Sequence, residues 1–408
     1  MADPQKPIVP FQEFLKSVQA VKVVEAASLP GARVRGSDEF EKMRQHILTR
    51  YRGIQVPHSF MDENGQIFDC VPIEEQGGGL ENAEAATPPQ LPEQAGEPAA
   101  VAPQAAPAPP AKDQFGNVRV CPAGTIPMRR ITPEDIARFP TLERFFRKGP
   151  LGGGQQPSLS PPAIGGTAQH KYAHAAQSVN NLGGHSILSV WSPSVDGSQF
   201  SLSQHWYAAN TQFGVQTAEV GWQVYPQLYG HSKPALFVYW TADGYQSTGS
   251  YNLTGGHFVQ TNSAWTLGGS LSPVSSVGGQ VHEIEISYFL QQGKWWLYIN
   301  KAAIGYYRAS QYGSGQLATS AAMIDYGGET VGAGVWPAMG SGQYANAATP
   351  NAASHRDIYY YAFPSGQPTL ANLTPQQLSP GCYTINTGSA APPWNRYFYY
   401  GGPGGSGC

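Results

Sequence analysis

The chain has 408 residues, of which 12% are charged, 12% aromatic and 41% hydrophobic, with 48 glycines and a formal net charge of −3. Average globular chains carry about 25% charged residues, so this composition excludes both a disordered polyelectrolyte and a coiled coil. There is no basic excess to recommend nucleic acid as a partner, and no run approaches the roughly 18–20 apolar residues of a membrane-spanning helix.

The charges are unevenly placed. Residues 1–159 hold 19 of the 27 acids and 17 of the 24 bases, whereas residues 160–408 hold 8 acids, 7 bases and all nine tryptophans. Such a break predicts two units of different duty. The first, residues 1–150, reads as a smaller mixed α/β unit. Phe11–Val21 is one candidate helix, and a second over Asp38–Tyr51 has Ser37 as its cap and acids in its first turn. Thr132-Pro133-Glu134-Asp135 opens a third, expected to run to about Gly149. Residues 77–112 are rich in Pro, Ala, Gly and Gln and read as an extended, solvated tether. Residues 151–166, again Pro-, Gly- and Ser-rich, read as an exposed, cleavable linker.

Residues 167–408 read as β. Phe200–Tyr207, Gly221–Tyr225, Ala235–Trp240, His282–Leu290, Lys294–Ile299 and Asp357–Phe363 are short segments rich in Tyr, Trp, Val and Ile, separated by turn residues. About 240 residues of this kind predict a large antiparallel two-sheet β-sandwich, with a barrel or jelly roll as the alternative. The expected fold class is therefore mainly β, with the mixed unit in front.

Four cysteines fall two per unit, and the simplest pairing is Cys70–Cys121 and Cys382–Cys408. Disulfides imply an extracellular protein. Met1-Ala2-Asp3-Pro4 shows neither a basic n-region nor an apolar h-region, so either a signal has been removed and a start Met supplied, or the disulfide reading is wrong. No Cys/His spacing points to a metal, and no cofactor motif is present. The β unit's acids are Asp196, Glu219, Asp243, Glu283, Glu285, Asp325, Glu329 and Asp357. Two stand apart: Glu219 in an aromatic setting, TAEVGWQVYP, and Glu329 among glycines, MIDYGGETVGAG. An apolar setting raises a carboxyl pKa, as a general acid requires, but pattern alone does not pair the two. There is no G-x-S-x-G elbow, H-E-x-x-H motif or P-loop.

FDCVPIEEQ (68–76) and VCPAGTIPMRRIT (120–132) precede AEVGWQVYPQLYG (218–230), LFVYWTADGYQSTGSYNL (236–253), WWLYI (295–299), YGGE (326–329), MGSG (339–342) and FYYGGPGG (398–405). In this order the chain resembles the neprosin family of glutamic prolyl endopeptidases, the first two segments resembling its activation peptide. The resemblance implies a β-sandwich catalytic domain whose two catalytic glutamates are Glu219 and Glu329. It implies a secreted zymogen whose N-terminal pro-domain is an intramolecular inhibitor, and cleavage of peptide or protein substrates after proline. Trp222, Tyr225, Trp240 and Tyr245 suit the packing of a proline ring. One departure is that Ser250 and Gly255 stand where the family often has a cysteine pair.

The expected chemistry uses Glu219 as base toward water and Glu329 as acid toward the leaving nitrogen, or the reverse, with an acidic optimum because one carboxyl must stay protonated. Pro150, Pro157, Pro161 and Pro162 would let a post-proline enzyme remove its own leader. Two other classes use similar features: a two-carboxylate glycoside hydrolase with tryptophans stacking on sugar, and a non-catalytic carbohydrate-binding sandwich.

Overall fold

A computed structural model describes residues 7–22, 28–29, 31–77, 83–92, 111–148, 170–212, 214–377 and 379–408. The predicted linker at 151–166, with its three prolines, and Pro150 before it lie outside the described residues.

Helix α1 (Phe11–Ala20) buries Phe11, Phe14 and Val18, and α2 (Gly36–Arg50) buries Phe40, Met43 and Ile47. These are the i, i+3, i+7 stripes of amphipathic helices. Ser37 does not cap α2, which starts two residues earlier than predicted, behind Arg35. Strands β1 (His58–Met61), β2 (Ile67–Pro72) and β3 (Thr125–Arg129) form a three-stranded antiparallel sheet in that order. Cys70 on β2 is bonded to Cys121. Asp69 on the same strand is buried and takes a two-pronged contact from Arg130, at 2.9 and 2.6 Å. The third predicted helix is two: α3 (Pro133–Ala137), opened by a Thr132/Asp135 capping box, and α4 (Leu142–Phe146), capped by Thr141. Pro140 lies between them; lacking an N–H, it cannot continue a helix.

The rest is one large, curled antiparallel sheet. It comprises β4 (His170–Ser189), β5 (Phe200–Thr211), β6 (Gly214–Val224), β7 (Ala235–Thr241), β8 (Phe258–Gln260), β9 (Glu283–Gln291), β10 (Lys294–Ile299), β11 (Ala302–Arg308), β12 (Ala321–Val331), β13 (Ala353–Ala362), β14 (Pro368–Leu370), β15 (Thr374–Gln377), β16 (Thr384–Ser389) and β17 (Arg396–Gly401). Its main path runs β7-β6-β5-β12-β4-β9-β10-β11-β8. The fold is mainly β, as expected, and the long β4 joins its two halves. Residues 170–181 of β4 pair with β12, and residues 183–189 pair with β9. All six predicted strands exist, but β4 and β12 do not show as alternating patterns. Cys382 is bonded to Cys408, holding the chain end.

The two units share a core. Phe139 and Phe145 of the N-terminal unit join Tyr225, Leu228 and the β5–β6 residues in one buried cluster. Arg138 and Gln227 exchange side chain-to-carbonyl bonds of 2.9 and 2.7 Å across the boundary. The tether reading needs a correction at residues 83–92. That stretch is extended, yet Ala83 is buried and Ala86 and Leu91 pack on aromatic side chains of the β sheet. An Ala/Pro sequence cannot build a core of its own, but it can lie on one.

Candidate active site

Glu219 lies on β6 and Glu329 on β12, with β5 between them. Antiparallel register places Trp206 of β5 opposite both Glu219 and Asp325, and Leu202 opposite Glu329. Directly paired residues share a face, so both glutamates, Gln204 and Trp206 project from the same side. The glycines before Glu329 serve this packing. Gly327 has φ +151°, and a Cβ on Gly328 would come within 2.5 Å of the Met339 sulfur.

Both carboxylates are buried, at 0% and 2% exposure. Their facing oxygens meet one group, the ammonium of Lys148. Lys148 Nζ is 2.6 Å from Glu219 Oε2, 2.9 Å from Glu329 Oε2 and 3.0 Å from Gln204 Oε1. The three ammonium protons thus have three acceptors, and the indole of Trp206 lies 5.2 Å away for a cation–π contact. Burial opposes the charge on Lys148, but the two glutamates outweigh it and raise its pKa. Burial likewise pushes Glu329 up, yet Lys148 and then His170 hold its carboxyl down at about 2.

The outer oxygens are also fixed. Glu219 Oε1 accepts from Tyr245 Oη at 2.5 Å and Thr217 Oγ1 at 2.8 Å. Glu329 Oε1 meets His170 Nδ1 at 2.6 Å, and its Oε2 accepts from Gln204 Nε2 at 3.4 Å. Close by, His174 Nδ1 is 2.8 Å from both oxygens of Asp325. The segment bearing Lys148 is pinned by Tyr239, whose hydroxyl donates to the Phe146 carbonyl at 3.2 Å, and by Arg147, which donates to the Gln246 carbonyl. Among the described residues no group of three or more His, Cys, Asp or Glu could hold a metal ion.

Of the four aromatics singled out from sequence, Tyr245 alone is hydrogen-bonded to a glutamate. Trp222 lies in the core and donates to the Ser189 carbonyl. Trp240 donates to Ser250 and packs on His257. Tyr225 sits edge-on to Phe200 and to Phe139 of the N-terminal unit. Ser250 and Gly255 do stand side by side: a Cβ on Gly255 would be 2.5 Å from that of Ser250. Sequence reasoning missed Lys148, Gln204 and His170. Faint signals existed in the Arg147-Lys148 pair at the end of the charged unit and in the alternation of His170-Lys171-Tyr172-Ala173-His174.

A mainly β chain with two buried, facing glutamates is the class that fold and site define. The sequence model of the Neprosin family matches residues 197–403, half the chain and both glutamates included. The chain belongs to the Neprosin family, a family of glutamic-type peptidases. Solved structures that the chain resembles at a distance include scytalido-glutamic peptidase with a transition state analog inhibitor, at 10% identity and TM-score 0.32, covering 57% of this chain and 97% of that one. SCP-B, of the Eqolisin family of peptidases, matches at 8% identity and TM-score 0.28, covering 57% and 96%. Sheep galectin-11 matches at 11% and 0.20, covering 43% and 95%. These likenesses are too distant to carry residue roles.

Proposed function

We propose that the chain is the zymogen of a secreted endopeptidase that cuts after proline in acid, with Glu219 and Glu329 as its catalytic pair and Lys148 as its internal block. The observation that carries this reading is the Lys148 ammonium, held between the facing oxygens of both glutamates. A position within hydrogen-bond reach of two carboxylates is where an attacking water belongs, and in the zymogen a lysine fills it. The post-proline preference rests on the family likeness.

Removal of residues up to the 151–166 linker takes Lys148 away and admits water. Glu219, oriented by Tyr245 and Thr217 through Oε1, keeps Oε2 free to accept a water proton as the oxygen attacks the peptide carbonyl. Departure of Lys148 also removes the main group holding the Glu329 carboxyl down, leaving burial to push it up against His170 alone. Glu329 then carries the proton that passes to the leaving nitrogen as the C–N bond breaks, yielding a carboxyl and an amine. Gln204, whose amide lies between the two, can donate to the oxyanion.

Digestion of a peptide library at several pH values, read by mass spectrometry, tests the reading. Expected are cuts after proline, favoured in acid and preceded by loss of the N-terminal unit. Cuts without regard to proline, or sugar hydrolysis instead, would overturn it.

A further inference from the structure

The main core is not the whole of the β unit's aromatic packing. On β9 and β10, Tyr288, Trp295 and Leu297 enter the main core, while the alternate residues Phe289, Trp296 and Tyr298 form a second buried cluster with Tyr306, Tyr359 and Tyr361. Register lines up Phe289, Trp296, Tyr306 and Val259 across four strands. On β4 the register shift between Ser178 and Asn181 puts Tyr172, which pairs with Glu329, on the same face as Gly183, which pairs with Phe289. The aromatic row and the glutamates therefore lie on one side of a continuous sheet.

What covers this row is the chain's own segment 83–92, Ala-Glu-Ala-Ala-Thr-Pro-Pro-Gln-Leu-Pro. Ala83, Ala86 and Leu91 lie against the aromatics. Two tyrosines bind its main chain: Tyr306 Oη donates to the Glu84 carbonyl at 3.0 Å and Tyr298 Oη to the Pro89 carbonyl at 2.5 Å. Gln76 starts the strap by exchanging two bonds, of 2.7 and 2.9 Å, with the backbone of Gln260 on edge strand β8. Aromatic rings carrying donors toward the carbonyls of a proline-rich extended chain are the chemistry by which such segments are recognised. The contacts read small apolar side chains and main-chain oxygens, so they are not peculiar to this strap. The strap is also an incomplete ligand, because the buried indole N–H of Trp296 has no acceptor among the described residues.

We infer that the Trp296–Tyr298–Tyr306 face is a second substrate-binding surface, an exosite for extended proline-rich peptide, which residues 83–92 occupy until the N-terminal unit leaves. The inference rests on the peptidase reading for its purpose, though not for the binding itself. Glu329 pairs with Tyr172 of β4 and Phe289 with Gly183, eleven residues further on, so the two places lie about 36 Å apart along β4 and about 14 Å, three strand spacings, across it. An extended proline-rich chain covers that in about thirteen residues at ~3.1 Å each. Long proline-rich substrates can engage both places, and short peptides cannot.

The test uses the full chain loosened at the strap by Pro88→Gly, Pro89→Gly and Leu91→Gly, titrated calorimetrically with a synthetic peptide of residues 83–92. One-to-one binding is expected, at least tenfold weaker in the unaltered chain and at least tenfold weaker when Tyr298→Phe and Tyr306→Phe are added. These two changes remove only hydroxyls and spare the packing. Equal binding by loosened and unaltered chains, indifference to the tyrosine changes, no binding, or preferential binding of xylohexaose would each overturn the inference. In the acid-processed full chain, the same tyrosine changes should raise KM several-fold for a twenty-residue proline-rich peptide and leave a six-residue one unchanged. Equal effects on both lengths would overturn the exosite, whereas cleavage of neither would refute the peptidase reading and leave the binding result standing.

Discussion

The N-terminal unit and the β unit are held together by different physics. The first is stitched with charge: Arg130–Asp69, Arg129–Asp135, Arg138–Asp135 and Arg119–Glu63 tie its elements to one another. The second is packed with Trp, Tyr, Val and Leu, and its Arg356–Glu283 pair lies toward the surface. Their histidines differ as well. In α2, burial and then Arg50 push His46 down to about 4. At the boundary, burial and then Arg129 push His231 down to about 4, where it faces Gln66 at 3.2 Å. Inside the β unit, burial pushes His185 and His355 further, to about 3. The difference teaches that acid loads the histidines of both units, and that the N-terminal unit meets that load with the smaller apolar core.

The comparison is broken most severely at the glutamates. In the acid-processed chain, Glu219→Gln and Glu329→Gln should each lower kcat by about 10²–10⁴-fold, with circular dichroism unchanged. Retained activity in both would remove the catalytic role of the pair.

Next comes the lysine that joins the two units. Breaking a buried ion pair from one side costs about 3–5 kcal/mol. Lys148→Met should therefore weaken docking of the N-terminal unit and shift processing to higher pH. Gel analysis of the intact chain between pH 3 and 7 (the range of the assay) checks this, and an unchanged processing curve would mean Lys148 is no latch.

The pH response itself has a definite sign. A histidine whose folded pKa is depressed stabilises the fold above its ordinary value of about 6.5 and loses that contribution as pH falls through the folded value. His46 and His231 therefore weaken α2 and the seam as pH falls from about 6.5 toward 4. Glu329, with its carboxyl held down, keeps its contribution above the ordinary glutamate value and loses it toward about 2. The β unit's own His185 and His355 lose theirs over the wider window from about 6.5 toward about 3, but against a much larger apolar core. Hydrogen exchange at stepped pH should show α2 losing protection before β5, β6 and β12, and His46→Leu should move the first loss to lower pH. Simultaneous loss in both units would erase the distinction.

The smallest effect is expected at Tyr245→Phe, which takes one of two donors from Glu219 Oε1 and leaves the other, Thr217. A loss of about ten- to a hundredfold in kcat/KM, on the scale of about 1.5–3 kcal/mol for a hydrogen bond to a charged group, is expected in steady-state kinetics.

Much of this was legible before any coordinates. The alternating Tyr/Trp/Val segments predicted strands such as Lys294–Ile299, whose bounds the structure reproduces. The two cysteine pairs followed from even counts per unit, and the EVGW and GGE motifs singled out Glu219 and Glu329. Other parts were hidden for physical reasons. Half of strand β4 is Ala, Gly, Asn and His, and its residues qualify as strand because β12, β9, β13 and β15 pair with them. The Ala/Pro segment at 83–92 has no apolar face of its own and is ordered only by the aromatic row beneath it.

By itself, then, the amino-acid sequence determined the class of fold, the division of charge between two units and the identity of two unusual acids. Each of these is a property of local pattern or composition. Tertiary structure alone decided that Lys148, 71 positions before Glu219 and 181 before Glu329, ends between them. A single buried ammonium with three acceptors depends on where β5, β6, β12 and the end of α4 converge, and no local pattern encodes a meeting of four separate segments.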